Sequence, residues 1–445
     1  MTLETIDKFS KVFLEKAKGK RIYLVSHFDT DGISSAAIVL KTFERLGLQF
    51  SVKILKQLDD KEIELFSKDE LIVLLDLGSG SLNKLAESGK EIFIIDHHEI
   101  DKNNLKDNLH VLNFHLIEEG ENLCSAELSY LFSRAISEEN KDLAHLAILG
   151  MIGDVMEKTI NKTRDMIIKE ADVKIKKGFL IYPSTRPLDR ALEYNSRPFI
   201  PGVTGDSQGT FELLKEAGIE RQGNKFKALI DLDEEEMKNL VTAVTLRLND
   251  SEKNSDYIGN LYLLKFFNKI EDARELSAII NACSRMDKPQ IALMLCLGNS
   301  GARKQAEKIY VKYRQHIISG LRYIDKNKKI EGREYIIING RDQIKDTIIG
   351  TLASILSFSS VYKEGTVIVA MAYNADKIKV STRMAGRDAK SSRNLKELLD
   401  SVTSTLGGVC GGHKRAAGCV ISREDEEKFI ELVKKKLEFE LVKVE

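Results

Sequence analysis

Short apolar runs alternate with longer stretches of helical spacing over the first 155 residues of the chain. GISSAAIVLKTFERLG (32–47) has the apolar periodicity of an amphipathic helix. The apolar runs are RIYLVSH (21–27), SVKILKQ, LIVLLDLGSG and EIFIIDHH. Nearly continuous apolar runs are typical of strands that are buried on both faces, as in parallel sheets. The pattern therefore predicts an α/β fold with a doubly wound parallel sheet.

The rest of the chain predicts an insertion, a connecting helix and a second domain. Residues 161–275 hold most of the prolines, a basic stretch at 174–177 and the acidic run DLDEEEMKNL, which we interpret as a mostly helical insertion. Residues 301–330 have the pattern of one long charged helix. Strand patterns return in REYIIING, TVIVAMAY and KIKVSTRM. We therefore divide the chain into a first domain at 1–300, a connecting helix at 301–330 and a smaller α/β domain at 331–445.

Composition narrows the class of protein. The chain has 445 residues, of which 42% are hydrophobic and 31% charged, as expected for a globular protein with a sizeable core. Its 68 basic and 68 acidic residues cancel, so any nucleic-acid binding must come from a local groove. Five cysteines without a CxxC pair, the lack of a signal-peptide core and the lack of any apolar stretch near ~20 residues predict a cytoplasmic protein without a membrane partner.

Acidic and imidazole side chains gather near the predicted strand ends. In open parallel sheets the carboxyl ends of the strands form one ligand-binding crevice, so these side chains should converge there. Carboxylates that converge repel one another unless a cation lies among them, and a pair of divalent ions is the simplest solution. Mn²⁺ suits carboxylate and imidazole ligands, with Mg²⁺ as the competitor. The side chains are His27, Asp29 and Asp31 in SHFDTDG, Asp76 in LLDLG, Asp96, His97 and His98 in IIDHH, and Asp154 in GMIGDV.

Three of these residues, taken alone, also have a purely structural interpretation. Asp31 could be a helix N-cap, Asp76 a turn former and His97 a buried core histidine. The combination is much harder to explain in this way. Strand alternation would direct His97 and His98 to opposite faces, one toward a metal and the other toward a substrate.

The motifs HFDTDG, LLDLG, DHH and GD, in this order within residues 27–154, resemble the four motifs of the DHH phosphoesterase superfamily. NACSRM (281–286) resembles the asparagine–arginine motif of RecJ-type nucleases. GGVCGGHKRAAGC (407–419) resembles the GGGH motif of the DHH-associated C-terminal domain, and VSTR (380–383) resembles the strand before it. Within the superfamily the chain resembles the archaeal RecJ-like single-strand exonucleases of the GINS-associated nuclease type.

The resemblance implies that residues 1–300 form a catalytic domain and that residues 331–445 form a nucleic-acid-binding domain. It also implies a role for each matching residue. Asp76, and on one interpretation also Asp154, would bridge the two ions. His98 would face the phosphate as a catalytic donor, and Asp96 would orient the neighbouring imidazoles. The implied metal ligands are His27, Asp29, Asp31, Asp76, His97 and Asp154. The implied nucleic-acid contacts are Asn281, Arg285, Arg383, Gly411, Gly412 and His413.

The region after VSTR offers further candidates for nucleic-acid contacts. Basic residues follow this strand in STRMAGRDAKSSR, where Arg387, Lys390 and Arg393 could contact phosphates. Tyr373 is a candidate platform on which a base could stack, although a packing role is the usual one for tyrosine.

The implied activity is a metal-dependent 5′→3′ exonuclease that degrades single-stranded DNA or RNA to nucleoside monophosphates by two-metal phosphodiester hydrolysis, in DNA replication or repair. One alternative is a nano-RNase or nucleotide phosphoesterase. Another is a replisome scaffold, in which the insertion binds GINS or the replicative helicase. The sequence leaves open the choice between DNA and RNA, the polarity of digestion and the oligomeric state.

Overall fold

A parallel sheet forms the centre of the first part of the chain. The computed structural model describes residues 3–116, 120–181, 183–195, 200–248, 257–359, 361–386 and 393–442. The chain divides into two units, Met1–Tyr310 and Val311–Glu445. The strands of the first sheet are β1 (Arg21–His27), β2 (Phe50–Leu55), β3 (Glu70–Leu75), β4 (Ile92–Ile95) and β5 (Leu109–Leu112), in the order β2-β1-β3-β4-β5 with every pair parallel.

Helices cover both faces of this sheet, which confirms the predicted α/β fold class. The helices are α1 (Leu3–Lys16), α2 (Thr30–Arg45), α3 (Asp60–Glu64), α4 (Leu82–Glu87), α5 (Ser125–Ile136) and α6 (Ala144–Gly153). Val73 and Phe93 lie in one buried cluster with residues of α1, α2 and α5. Ile72, one position before Val73, and Ile94, one position after Phe93, lie in a second cluster with residues of α3 and α4. The continuous apolar runs in the sequence thus reflect strands that are buried from both sides.

The strand order creates a switch point between β1 and β3. The chain leaves β1 for β2 on one side, and the next strand, β3, pairs with β1 on the other side. Crevices at such points, beyond the carboxyl ends of the strands, are the usual ligand sites of open α/β sheets.

The segment at 161–275 contains a sheet as well as helices. Its helices are α7 (Lys162–Glu170), α8 (Leu188–Glu193), α9 (Ser207–Glu216) and α10 (Glu234–Arg247). Its strands are β6 (Lys174–Phe179), β7 (Arg221–Gln222), β8 (Lys225–Phe226), β9 (Ile258–Phe266) and β10 (Lys269–Asp272). The antiparallel sheet β10-β9-β6 was not predicted, because the basic stretch at 174–177 hides an edge strand on which lysine is well tolerated.

Three helices follow this insertion. They are α11 (Ala273–Arg285), α12 (Pro289–Cys296) and α13 (Ser300–Lys326). The long charged helix predicted at 301–330 is therefore present as α13. None of the described helices combines the length and hydrophobicity that crossing a lipid bilayer requires.

The second unit contains a mixed six-stranded sheet among the described residues. The strands are β11 (Ile330–Gly332), β12 (Tyr335–Asn339), β13 (Val367–Asn374), β14 (Lys377–Met384), β15 (Val409–His413) and β16 (Ala416–Ser422). The helices are α14 (Asp346–Phe358), α15 (Leu395–Leu406) and α16 (Glu426–Val442). The strand order is β11-β12-β13-β14-β16-β15, in which only β12 and β13 pair in parallel. Residues of α15 and α16 form a buried cluster with one face of the sheet, and α14 packs on β13 and β14.

Candidate metal centre

His27 and Asp29 begin a cluster of polar side chains at the carboxyl end of β1. His27 is the last residue of β1, and Asp29 is the N-cap of α2, with its Oδ1 accepting a hydrogen bond from the Gly32 N–H at 3.1 Å. The other carboxylate oxygen, Oδ2, lies 3.0 Å from Nδ1 of His27. Asp29 therefore caps the helix, and the interpretation of Asp31 as the N-cap is wrong.

Asp31 is fully buried against the N-terminus of α5. Its two oxygens accept hydrogen bonds from the N–H groups of Ser125 (2.8 Å) and Ala126 (2.9 Å). The exposed N–H groups at a helix N-terminus favour a negative charge, which explains how a carboxylate is held there. Gly150 of α6 leaves room for this contact, because a Cβ at that position would lie 2.5 Å from Oδ1 of Asp31.

Asp76 connects two groups of side chains through its two carboxylate oxygens. It follows β3 directly in the left-handed conformation, with φ +57°, which aspartate tolerates better than most residues. Oδ2 lies 3.1 Å from Nδ1 of His27, whereas Oδ1 lies 3.5 Å from Nε2 of His97. Oδ1 also accepts a hydrogen bond from the Ser125 hydroxyl at 2.9 Å. The carboxylate thus faces one imidazole with each oxygen.

His97 and His98 lie side by side, so the expectation of opposite strand faces is wrong. Strand β4 ends at Ile95, and the carboxylate of Asp96 then accepts hydrogen bonds from the N–H groups of His97 (2.8 Å) and His98 (3.3 Å). This contact ends the strand alternation, and the two imidazole centroids are 4.5 Å apart. The side chains nevertheless have different partners, because Nε2 of His97 lies 3.1 Å from Oδ2 of Asp154.

Asp96 is buried and holds the imidazole of His98. Its Oδ1 lies 2.7 Å from Nδ1 of His98, and its Oδ2 accepts a hydrogen bond from the Ser79 N–H at 3.0 Å. The hydrogen bond with Asp96 raises the pKa of His98. His97 receives only a backbone contact from Asp96, so the carboxylate orients one of the two imidazoles directly. The side chain of His98 remains about half exposed.

Asp154 completes the cluster from the end of a helix. It is the C-cap of α6, and its position brings Oδ2 to His97. The ligand atoms that could hold a metal ion form three overlapping groups, each within 4.8 Å: His27 with Asp29 and Asp76, Asp31 with His97 and Asp154, and Asp76 with His97 and His98. The structure thus brings together all six side chains that the resemblance implied as metal ligands.

The titration of these groups reflects crowding of negative charge. Burial and the charge of Asp154 raise the pKa of Asp31 to about 7. Burial and the charges of Asp29 and Asp31 raise the pKa of Asp76 well above its usual value. Burial alone would lower the pKa of His97, but its hydrogen bond with Asp154 and the nearby carboxylates raise that pKa to about 10. Divalent cations would remove this repulsion, so oxygen and imidazole donors in this arrangement fit such ions.

Ser125, which was not predicted as a site residue from the sequence, contacts two carboxylates of the centre. Its N–H donates to Asp31 and its hydroxyl donates to Asp76. Ser125 is the first residue of α5, and Glu127 accepts a hydrogen bond from the N-cap N–H of Cys124 at 2.9 Å. A glutamate three residues after a cap is a recognisable sign of a helix start. That sign could have predicted free N–H groups here, but not the carboxylates that they bind.

Asn281 and Arg285 lie on α11, which has contacts near the carboxyl ends of β1 and β2. The hydroxyl of Thr30, three residues after β1, donates to the carbonyl of Ser277 at 3.1 Å. Lys56, which follows β2 directly, lies 2.8 Å from Asp287. Asn281 and Arg285 lie between Ser277 and Asp287 along the chain, and both side chains are partly exposed. Their contact with nucleic acid stays a prediction.

The nucleic-acid candidates of the second unit cluster at one end of its sheet. Arg383 of β14 pairs with Ala416 of β16, and its Nε donates to the Ser354 hydroxyl at 3.0 Å. Gly411, Gly412 and His413 are exposed and belong to the edge strand β15, not to a loop. Gly412 has φ +130°, and a Cβ there would lie 2.5 Å from the Ala416 carbonyl oxygen. Only glycine fits this position.

The other basic and aromatic candidates are either enclosed by their neighbours or lie outside the described residues. Arg393 is near the same end of the sheet, but it is buried and lies 3.4 Å from Glu334, and Arg387 and Lys390 lie outside the described residues. Tyr373 follows Ile368, the strand partner of Arg383, by five positions, or ~17 Å along β13. Its ring is covered by the guanidinium of Arg423 at 3.9 Å, and its hydroxyl contacts Glu426. Tyr373 therefore has a packing role.

Comparison with known families finds three matches along the chain. The model of the DHH family, N-terminal domain, matches residues 21–151. The DHH-CID domain matches residues 181–261, and the DHHA1 domain matches residues 332–438. The DHH and DHHA1 matches lie in the order expected from the sequence motifs, and the DHH-CID match falls within the predicted insertion at 161–275.

Two curated proteins have related sequences. The uncharacterized protein MJ0831 of Methanocaldococcus jannaschii is 26% identical over 446 residues, which is 97% of each chain. YorK of Bacillus subtilis, which is named as a candidate prophage-derived single-strand DNA-specific exonuclease, is 26% identical over 211 residues. That match covers 44% of this chain and 35% of YorK.

Two solved structures show the same fold over nearly all of the chain. RecJ from Thermus thermophilus in complex with Mn²⁺ superposes with a TM-score of 0.61 at 19% identity, covering 98% of this chain and 55% of RecJ. The same protein has also been solved with Mg²⁺. CDC45 from Entamoeba histolytica superposes with a TM-score of 0.67 at 13% identity, covering 98% of this chain and 99% of CDC45. This chain spans about half the length of that RecJ.

Proposed function

Because the chain carries domains that match the DHH, DHH-CID and DHHA1 family models, we propose that it is a metal-dependent exonuclease that degrades single-stranded DNA or RNA from the 5′ end to nucleoside monophosphates. The family and its relatives support the coarser statement that the protein is a hydrolase of the DHH phosphoesterase type. The substrate, the polarity and a role in replication or repair of an archaeal cell belong to the proposal. The name of YorK supports a single-stranded DNA substrate, and the relative in Methanocaldococcus jannaschii supports an archaeal source. The polarity and the role in replication or repair rest on the resemblance of the sequence motifs. The composition supports a cytoplasmic location.

The observation that carries the proposal is the position of Asp76 between two groups of ligand atoms. One oxygen faces His27, which lies next to Asp29, and the other faces His97, which lies next to Asp154. A carboxylate in this position is suited to bridge two ions. RecJ, which shares the fold, binds Mn²⁺ or Mg²⁺ in its solved structures, and we propose that Mn²⁺ is preferred here.

Two ligand sets would hold the ions. The first consists of His27, Asp29 and Asp76, and the second of Asp31, Asp76, His97 and Asp154. When bound, such ions would lower the pKa of a water molecule and neutralise the phosphoryl oxygens of the substrate.

The protein's own side chains would orient the substrate. Asp96 accepts the Nδ1 proton of His98 and raises its pKa, which leaves Nε2 to donate a hydrogen bond to an oxygen of the scissile phosphate. Arg285 and Asn281 would bind phosphate groups along α11, since a guanidinium matches phosphate geometry. In the second unit, Arg383 and the exposed glycine backbone of Gly411 and Gly412 would bind phosphate groups of the nucleic acid.

A second candidate function is binding of a GINS-like partner or the replicative helicase. It is favoured by the match of residues 181–261 to the DHH-CID domain and by the fold similarity to CDC45. The insertion has a hydrophobic core of its own, so it can present a surface without disturbing the metal centre. Partner binding and cleavage are therefore compatible.

The test is cleavage of DNA and RNA oligonucleotides labelled at either end, in the presence of Mn²⁺. Asp76→Asn should abolish cleavage, since asparagine tolerates the left-handed backbone but cannot bridge two ions as a carboxylate does. Asp172→Asn is the matched control, because Asp172 also has a positive φ (47°) but is exposed in a turn.

The results of this assay distinguish the exonuclease from the alternative functions. Release of mononucleotides from the 5′ end by the parent and by Asp172→Asn, but not by Asp76→Asn, supports the exonuclease. Release from the 3′ end overturns the polarity, and turnover of dinucleotides alone indicates a nano-RNase. Inactivity on every substrate favours the binding protein.

A further inference from the structure

Arg164 is a buried arginine that lies between the segments matched by the DHH and DHH-CID family models. Only 2% of its side chain is exposed, although it belongs to the short helix α7 near the surface of the unit. Its guanidinium offers five N–H donors, and each has an acceptor. Two donors bind Glu127, through Nε (2.7 Å) and one terminal nitrogen (2.7 Å). The other three bind the carbonyl groups of Asn122, Met156 and Thr159.

Through Glu127, Arg164 holds the first turn of α5. Glu127 is fully buried, and one oxygen, Oε2, accepts hydrogen bonds from both Arg164 and the Cys124 N–H. The carbonyl of Asn122, two residues before this cap, is bound by the same guanidinium. Arg164 thus fixes the chain where α5 begins.

This first turn of α5 is the part of the protein that binds two of the proposed metal ligands. The N–H groups of Ser125 and Ala126 bind Asp31, and the hydroxyl of Ser125 binds Asp76. A shift of the helix start would therefore move three hydrogen-bond donors relative to both carboxylates.

Arg164 also holds the segment that follows a third proposed ligand. The carbonyl of Met156 accepts a hydrogen bond from Arg164 at 3.0 Å, and Met156 is only two residues from Asp154. The carbonyl of Thr159 binds the same terminal nitrogen. The turn after α6 is thereby tied to the start of α5.

We propose that Arg164, bound to Glu127, is a positioning residue that sets the relative positions of Asp31, Asp76 and Asp154 for metal binding. This inference rests on the proposed function, because it assigns a role to Arg164 in the same centre. A buried ion pair is often no more stabilising than apolar residues of the same size. The pair matters here for its geometry. One planar guanidinium joins the start of α5, which contacts Asp31 and Asp76, to the turn that follows Asp154.

The test compares metal binding with folding in four proteins. Arg164→Met removes the guanidinium, and Glu127→Gln/Arg164→Met also removes the carboxylate that would otherwise be buried without its partner. The double variant should regain most of the thermal stability that Arg164→Met loses. The parent and Arg134→Met complete the set.

Arg134→Met is a matched control on the same pair of helices. Arg134 of α5 lies 2.9 Å from Glu170 of α7, so this pair also links the two helices. It lies nine residues from Ser125, about 13 Å along the helix axis. Its loss should lower the melting temperature without changing metal affinity.

The measurement is Mn²⁺ binding by calorimetry, with circular dichroism and thermal melting to confirm folding. For Arg164→Met and for the double variant, the Kd for Mn²⁺ should rise about 10- to 100-fold, the usual effect of losing support for metal ligands. Cleavage activity should largely recover at saturating Mn²⁺, because the ligands themselves remain.

A Kd within twofold of the parent in the folded double variant would overturn the inference while leaving the proposed function intact. An equal loss of affinity in Arg134→Met would also overturn it, since any link between the two helices would then suffice. Failure of the parent to bind Mn²⁺ would instead overturn the proposed function, and this inference with it.

Discussion

Ser125 donates its hydroxyl to Oδ1 of Asp76 at 2.9 Å, across 49 positions of the sequence. The same serine offers its N–H to Asp31, so one residue at the start of a helix touches two carboxylates of the centre. The hydroxyl holds the oxygen of Asp76 that faces His97. Removal of this hydroxyl is therefore the most direct way to disturb the proposed bridge without changing a ligand.

We expect Ser125→Ala to lower Mn²⁺ affinity and cleavage by about tenfold, in the range reported for lost support of metal ligands. The free energy of unfolding should fall by only about 1 kcal/mol, the usual contribution of one hydrogen bond. Calorimetric titration and end-label assays measure the first effect, and urea unfolding the second. Ser129→Ala is the control, because Ser129 lies one turn along α5 and no partner for its buried hydroxyl is found among the described residues. Equal effects of both substitutions would contradict the role of Ser125.

The two adjacent histidines should separate into a metal-binding and a substrate-facing residue. His97→Gln should reduce Mn²⁺ affinity strongly, since Nε2 of His97 lies among Asp76 and Asp154. His98→Gln should keep Mn²⁺ binding and lower kcat about 100-fold, which is typical for loss of one stabilising donor. Calorimetry and single-turnover cleavage distinguish the two. Loss of Mn²⁺ binding in both variants would show that His98 is also a ligand.

Stabilisation of the protein by Mn²⁺ should increase with pH. The pKa of Asp31 is raised to about 7 in the folded protein, above its usual value near 4. Between these two pH values Asp31 therefore carries a proton in the folded state but not in the unfolded state. The stability from this group is complete below about pH 4 and is lost as pH rises through about 7. His97, with a pKa of about 10, must likewise release a proton before Nε2 can bind a cation.

Differential scanning fluorimetry with either chelator or saturating Mn²⁺, from pH 5.5 to pH 8.5, measures this dependence. The metal-free melting temperature should fall across the lower part of this range as Asp31 loses its proton, and the rise caused by Mn²⁺ should grow. If Mn²⁺ raised the melting temperature equally at all pH values, this would contradict proton release from these ligands. Asp31→Asn should weaken the pH dependence.

Gly150→Ala should destabilise the protein and weaken metal binding together. The new Cβ would lie 2.3 Å from Cβ of Ala126 and 2.5 Å from Oδ1 of Asp31, so α6 and α5 would have to separate. Overpacking of this kind costs about 1–3 kcal/mol. Gly301→Ala is the control, since it lies in α13 and its Cβ would meet only the end of the Asn299 side chain, at 3.2 Å. Chemical unfolding and Mn²⁺ titration measure the two effects. A Gly150→Ala variant with unchanged stability and unchanged Mn²⁺ affinity would contradict the close contact.

Much of the fold could be predicted from the sequence pattern of residues that are close along the chain. The apolar runs around Val73 and Phe93 predict buried parallel strands because side chains on both faces of such strands enter a core. The acidic residues after these strands, such as Asp76 and Asp29, could be assigned to one crevice because parallel strands end at one edge. In contrast, β6 was missed, because its lysines at an edge position do not show the alternation of a buried strand.

The sequence by itself therefore determined the α/β class, the order of the elements and the residues that supply carboxylates and imidazoles, since each depends on neighbours only a few positions apart. The tertiary structure decided which aspartate caps α2, which imidazole meets Asp154, and that Ser125 and Arg164 support the centre. These decisions depend on hydrogen bonds between residues separated by tens of positions, such as Asp31 and Ser125 at 94. Such partners meet only after the helices and strands have packed, because packing, and not local preference, sets the distance between them.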